Sequence, residues 1–165
     1  MIIGGVAVGL LARPRLTADA DAVIFLSIDE LDDLLDAAEQ EGFMPRYPNV
    51  KEFARANRLV ALHHVPSGVD VDISLGAMPF EAEAIERSQL VSVGNLRLRV
   101  PSVEDLIIMK AVAHRKKDFS DIENLVAFHP RLDRERIEYW VTGFAQVLEM
   151  PELWTDLAPL LADNE

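Results

Sequence analysis

Apolar positions along this chain recur at two periods, and the switches between them outline the elements. Ile2-Ile3 ends a short apolar strand. After Gly4-Gly5 the run Val6 to Leu11 starts a helix. Asp21 to Leu26 reads as a strand rich in apolar residues. Ser27-x-x-Glu30 is a capping box that opens a helix, because each end of the box satisfies a backbone N–H that the first turn leaves unpaired. Leu31, Leu34, Leu35 and Ala38 then lie on one helical stripe, and Gly42 ends it. Asn49 to Asn57 suits a further short helix. Leu59 to Val65 and Val69 to Leu75 predict two strands, joined by the turn Pro66-Ser67-Gly68. Leu90 to Val93 and Leu96 to Val100 flank Gly94-Asn95 as a hairpin. Ser102 caps the next helix, and helical spacing continues over about 103–115, 118–128, 133–148 and 152–161. Strands mixed with helices, followed by a helical tail, predict an α+β fold with a mixed sheet. The expected division is an α/β core over 1–100 and a helical region over 101–165 packed on it as a single compact domain.

Two strands carry carboxylates in an unusual register. Successive side chains of a strand alternate faces, so Asp19 and Asp21 present two carboxylates side by side. Asp70 and Asp72 share a face of a second strand in the same way. Either could bring a third acid to the first pair. Like charges grouped without a Lys or Arg among them repel. A divalent cation such as Mg²⁺, which takes hard oxygen ligands and few of them from protein, is the usual reason to keep such a group. Paired glycines let backbone approach a phosphate closely, and N–H groups at a helix start attract anions. Taken singly, each feature has a plainer explanation: the D-x-D as a solvated strand entry, Gly4-Gly5 as a tight turn, Asp70 as an edge charge that blocks aggregation.

In order along the chain, Gly4-Gly5, Arg15-x-Thr17-x-Asp19-x-Asp21 and Asp72 resemble the nucleotidyltransferase superfamily with the polymerase-β-like fold. Pro101 to Leu106, Lys110 and Arg115 to Asp121 narrow the resemblance to the AbiEii-type group, which includes toxins of toxin–antitoxin pairs and small bacterial proteins. The match runs over roughly residues 2–126. Asp72 is preferred to Asp70 because Asp72-Ile73-Ser74-Leu75-Gly76 is more similar to the family strand. The resemblance implies that Asp19, Asp21 and Asp72 bind Mg²⁺ or Mn²⁺ and act in catalysis. It implies that Gly4, Gly5, Arg15, Thr17 and Lys110 hold a nucleoside triphosphate, and that Asp118 contributes to the active site. Many relatives carry Gly-Ser where this chain has Gly-Gly, so a hydroxyl that would touch phosphate is absent. Relatives usually have a helix before the first strand, so a truncated start is expected.

The implied reaction is metal-dependent transfer of a nucleotide from a triphosphate to an acceptor, which is RNA, a protein or a small molecule. The alternative is a catalytically weak nucleotide-binding or antitoxin-like module that works through a protein partner. A cognate antitoxin or a second copy is the expected partner. Ile137, Trp140, Val141, Phe144 and Leu148 would offer an apolar face for one, although ordinary core explains them more simply. Lys110, alone in the apolar run Leu106 to Ala113, either snorkels with a buried stem or reaches phosphate.

Composition trims these readings. The 165 residues include no Cys, which excludes thiolate catalysis and disulfides and fits a cytoplasmic protein. Half the residues are hydrophobic, enough for a self-sufficient core. No apolar run reaches the ~20 residues that span a bilayer, so no membrane partner is expected. The net charge of −12 opposes broad binding of a polyanion. A nucleic acid would need a local basic patch, from Arg13 and Arg15, Arg97 and Arg99, or His114 to Lys117. His63 and His64 face opposite ways on one strand and cannot share a metal; with His114 and His129 they are expected to be structural or surface residues.

Overall fold

A computed structural model describes residues 1–162. A five-stranded mixed sheet has the order β1-β2-β5-β4-β3, formed by β1 (Ile2–Ile3), β2 (Asp19–Ile24), β3 (Phe43–Pro45), β4 (Leu59–His64) and β5 (Val69–Leu75). The central pair β2–β5 is parallel, and its other neighbours run antiparallel. Parallel pairing needs a long crossover. Here α2 (Leu31–Gln40), β3, α3 (Val50–Asn57) and β4 supply it.

Alternation along the strands gives the sheet two unlike faces. One face sends Ile24, Val60, Leu62, Val71, Ile73 and Leu75 into a core under α2 and α3. Leu31 seals this core, with Leu34, Leu35 and Ala38 behind it, so the predicted stripe is the buried one. The opposite face carries Asp19, Asp21 and Val23 on β2, and Asp70, Asp72 and Ser74 on β5. Helices cover only part of it. These are α1 (Gly4–Leu11), α4 (Pro79–Glu86), α5 (Val103–Ala113), α6 (Lys116–Phe128) and α7 (Arg134–Leu148), with the short α8 (Glu152–Thr155) and α9 (Ala158–Ala162) behind. Their core joins Ala7 and Val8 of α1 to Leu106, Ile107, Ile122, Leu125 and Ile137. The predicted 3.6-residue periods therefore bury their apolar sides in one continuous cluster.

Several boundaries differ from the sequence reading. β2 begins at Asp19 rather than Asp21, which puts both acids inside the ladder. The strand β3 and helix α4 are additions. β3 is three residues long and ends in Pro45, too short to show a period. The box of Ser27 and Glu30 opens a 3-10 turn that runs on into α2. α5 stops at Ala113 because His114 turns into the left-handed region, with φ 50°, and α6 starts two residues before the predicted 118. The last helix is broken at Asp156-Leu157. β6 (Gln89–Val93) and β7 (Leu96–Val100) form the separate predicted hairpin. On α7, Ile137 and Val141 are fully buried while Leu148 is exposed.

Candidate active site

The parallel register pairs Asp19 with Asp70 and Asp21 with Asp72. Two D-x-D segments thus bring four carboxylates to one patch of the sheet, a placement that neither segment shows alone. Asp21 is the innermost. Burial pushes its carboxyl above the usual range, and the charges of Asp19 and Asp72 push it further, against the pull of Lys110 and Arg115. Asp19 is the opposite case. The Thr17 hydroxyl donates to its Oδ1 at 2.7 Å and holds its carboxyl below the usual range. Arg46, just beyond β3, bridges Asp70 and Asp72, and His63 Nδ1 lies 2.7 Å from Asp70 Oδ1.

Gly4 and Gly5 form the first turn of α1 directly above Asp21. Gly4 has φ +63°, and a Cβ there would lie 1.9 Å from Asp21 Oδ2. A side chain at this position would displace the carboxylate as well as strain the backbone. A Cβ on Gly5 would meet Arg15 and Thr17 at 3.0 Å. No side chain caps the start of α1, so its first N–H groups are free of a side-chain acceptor.

Lys110 does not snorkel. It is 4% exposed, and its Nζ lies 2.9 Å from Asp118 and 2.8 Å from Asp121, both buried. Arg15 grips Asp121 through two bonds of 2.7 and 2.9 Å, and Arg115 grips Asp118 from the start of α6. Asp118 also accepts from the Arg115 backbone N–H, closing a capping box. Arg15 and Thr17 are thus braces for Asp121 and Asp19. The network sets three cations against two carboxylates and leaves one positive charge in excess beside Asp21. Ile3, Gly4, Asp21, Met109, Lys110 and Arg115 line a common cleft.

Acid sensitivity follows. Burial alone would raise Asp118 and Asp121. The bonds to Arg115, Arg15 and Lys110, with their charges, outweigh it and hold both carboxyls below the ordinary 3.8. A depressed folded-state value stabilises the protein above the unfolded value and loses that contribution as pH falls through the folded one. We therefore expect stability to hold down to about pH 4 and then to fall steeply, with Asp118→Asn flattening that descent. Denaturant midpoints measured from pH 6 to pH 2 check this, and equal slopes for both proteins would refute it.

Sequence reasoning missed Arg46, His63 and the pairing role of Asp121. His63 was legible in retrospect. A turn at Pro66-Ser67-Gly68 sets His63 opposite Asp70 on the same face, as observed. Arg46 carries no such signal, because β3, the strand it follows, is too short to have a pattern. His64 faces away, bonded to Ser67 and stacked on Phe43.

For a divalent cation the donors fit in kind, since Asp19, Asp21 and Asp72 offer only hard oxygens. Among the described residues no three His, Asp or Glu side chains already converge as a metal cage; Asp19 is bonded to Thr17 and Asp72 to Arg46. Among the described residues no helix is long and apolar enough to cross a membrane.

Comparison with known proteins agrees with this geometry. A family described as "Nucleotidyltransferase of unknown function (DUF6036)" matches residues 1–153. Comparison with curated proteins gives no match. Among solved structures, an antigenic nucleotidyltransferase-like protein from Paracoccidioides brasiliensis is similar, with a TM-score of 0.56 at 17% identity. The alignment covers 97% of this chain and 82% of that one. At that identity the likeness speaks for the fold.

Proposed function

The chain belongs to this nucleotidyltransferase family of unknown function, and we propose that it transfers a nucleotide from a nucleoside triphosphate to an acceptor hydroxyl. The observation that carries the proposal is Asp21, half-buried between two further carboxylates and roofed by Gly4 at the start of a helix. Asp19 and Asp72 have partners of their own in Thr17 and Arg46, whereas Asp21 is held above the usual carboxyl range by burial and by their charges.

In this reading Asp19, Asp21 and Asp72 hold Mg²⁺ or Mn²⁺. The ion would supply charge neutralisation for the triphosphate and the departing pyrophosphate. The backbone of Gly4 and Gly5 offers N–H groups to phosphate, and the helix dipole of α1 adds to their pull. Lys110 and Arg115 set a positive flank on the cleft, fixed in place by Asp118 and Asp121. Such transfers depend mainly on position and charge, so a pre-ordered flank matters more than a reactive side chain. Asp72 accepts the acceptor's proton once Arg46 has moved aside. The Arg46 contact also favours a second reading, the catalytically weak nucleotide-binding module, in which Arg46 stays on Asp72. Membership of the AbiEii-type group and action as a toxin are part of the first proposal.

Thermal denaturation tests it. Millimolar Mg²⁺ or Mn²⁺ is expected to raise the Tm, and ATP, CTP, GTP or UTP to raise it further, because ligands of the folded site alone stabilise by mass action. Curves identical to those in EDTA for all four triphosphates would refute the transfer reading. A rise in Tm without label transfer to RNA, protein or small hydroxyl compounds would select the second.

A further inference from the structure

Three hollows follow one another from the carboxylate cleft toward α7, each sharing lining residues with the next. Ile3 and Met109 line the cleft beside Asp21, and the same two residues begin the next stretch with Val23 and Ser74. That stretch passes to Met78, Phe80 and Phe144, which in turn open onto the outer side of α7. There Tyr139 is 70% exposed and Val147 82% exposed, beside Trp140 and Leu148. The walls are set by packed rings, with Phe80 edge-on to Trp140 at 5.2 Å and to Phe144 at 5.6 Å.

Charge decides what suits this track. No Lys or Arg is among the residues that line either stretch beyond the cleft, and the one charged residue there is Glu81, an anion that would repel phosphate. Arg15 and Arg115, two of the basic residues nearest the carboxylates, are paired with Asp121 and Asp118. A nucleic acid laid along these hollows would bring phosphates to an apolar surface of a protein with net charge −12, with no cations to receive them. An uncharged segment with large apolar side chains loses nothing there and gains burial.

Resting on the transfer reading above, we infer that the acceptor is a protein segment whose Ser, Thr or Tyr hydroxyl is flanked by apolar residues, seated in these hollows with the hydroxyl at Asp21 and Asp72. The hydroxyl oxygen forms a bond to the α-phosphorus as the bond from that phosphorus to the β-phosphate oxygen breaks. Pyrophosphate leaves with the electron pair, and the hydroxyl proton passes to Asp72. Ser74, on the carboxylate face two residues past Asp72, and Glu81, whose carboxylate accepts from the backbone N–H groups of Ala77 and Met78, are the polar groups of the first stretch.

The test uses dye-labelled peptides with one central Ser, Thr or Tyr, flanked by Leu, Val and Phe in one set and by Lys and Arg in another, with single-stranded RNA as a third probe. Binding is read by anisotropy, triphosphate binding by calorimetry, and transfer by labelled nucleotide. The expected result is that apolar-flanked peptides bind and accept nucleotide. Val147→Glu, at a position open enough to leave folding intact, then weakens them by ~10-fold or more without changing triphosphate affinity. Equal peptide binding by Val147→Glu, a preference for the Lys- and Arg-flanked set, or transfer to RNA would overturn the inference. Triphosphate binding without peptide binding overturns the role of the hollows alone. Peptide binding without any triphosphate binding overturns the transfer reading, and the acceptor role with it.

Discussion

Asp21→Asn is expected to cut nucleotide transfer by at least ~10²-fold, the scale of removing one strong electrostatic contact from a preorganised site. The same change should make the metal-free protein more stable at neutral pH. Asp21 is pushed up by burial first and then by Asp19 and Asp72. A raised folded-state value means stability that is complete below the unfolded value and is lost as pH rises through the folded one. As pH rises through the folded-state value the wild type takes on an unwelcome charge there, and the amide removes that cost. The gain should shrink toward zero as pH drops below about 4, where wild-type Asp21 is itself protonated. A variant that loses activity while gaining Tm separates a carboxylate kept for chemistry from one kept for folding. Full transfer activity in Asp21→Asn would remove the carboxylate mechanism. If transfer also makes the protein a toxin, wild-type expression arrests growth and Asp21→Asn relieves the arrest. Equal growth under both would remove the toxin reading.

Lys110→Met is expected to destabilise the fold. A snorkelling lysine would tolerate methionine with a small gain, since the stem is matched and the charge sits in water. Here the ammonium is buried against two buried carboxylates. Removing one partner of a buried pair strands the others at a cost of about 3–5 kcal/mol. Arg15 and Arg115 still hold Asp121 and Asp118, so the lower end is expected, about 3 kcal/mol or roughly 6–12 °C in Tm. The excess positive charge beside Asp21 also disappears, and triphosphate affinity should fall by ~10-fold, the scale of one charge-assisted contact. Calorimetric titration with a non-hydrolysable triphosphate, well below the variant's Tm, checks the second effect. An unchanged or raised Tm would mean that the buried network contributes nothing to stability. Asp118→Asn Lys110→Met, with one stranded carboxylate neutralised, should recover part of the loss.

Most elements, and the order in which they follow one another, are legible in the sequence alone, with β3 and α4 the exceptions. Helical stripes such as Leu31, Leu34, Leu35 and Ala38, the Ser102 cap and the alternation through Val69 to Leu75 are local patterns, and local backbone geometry reads them directly. It also placed Asp19 with Asp21, and Asp70 with Asp72, because a period of two needs no knowledge of neighbours. Tertiary structure decided how the pairs meet. Only the parallel register of β2 on β5 sets Asp21 opposite Asp72, and only the short strand β3 brings Arg46 across to Asp70 and Asp72. The same holds for Lys110. Its place in an apolar run shows that the stem is buried, whereas the partners of its charge come from α6, and the brace on one of them from Arg15, more than a hundred residues earlier. Charge pairing acts through space at a few ångströms, with no period along the chain. Which lysine is exposed, which carboxylate is strained and which arginine is already paired are therefore settled by packing.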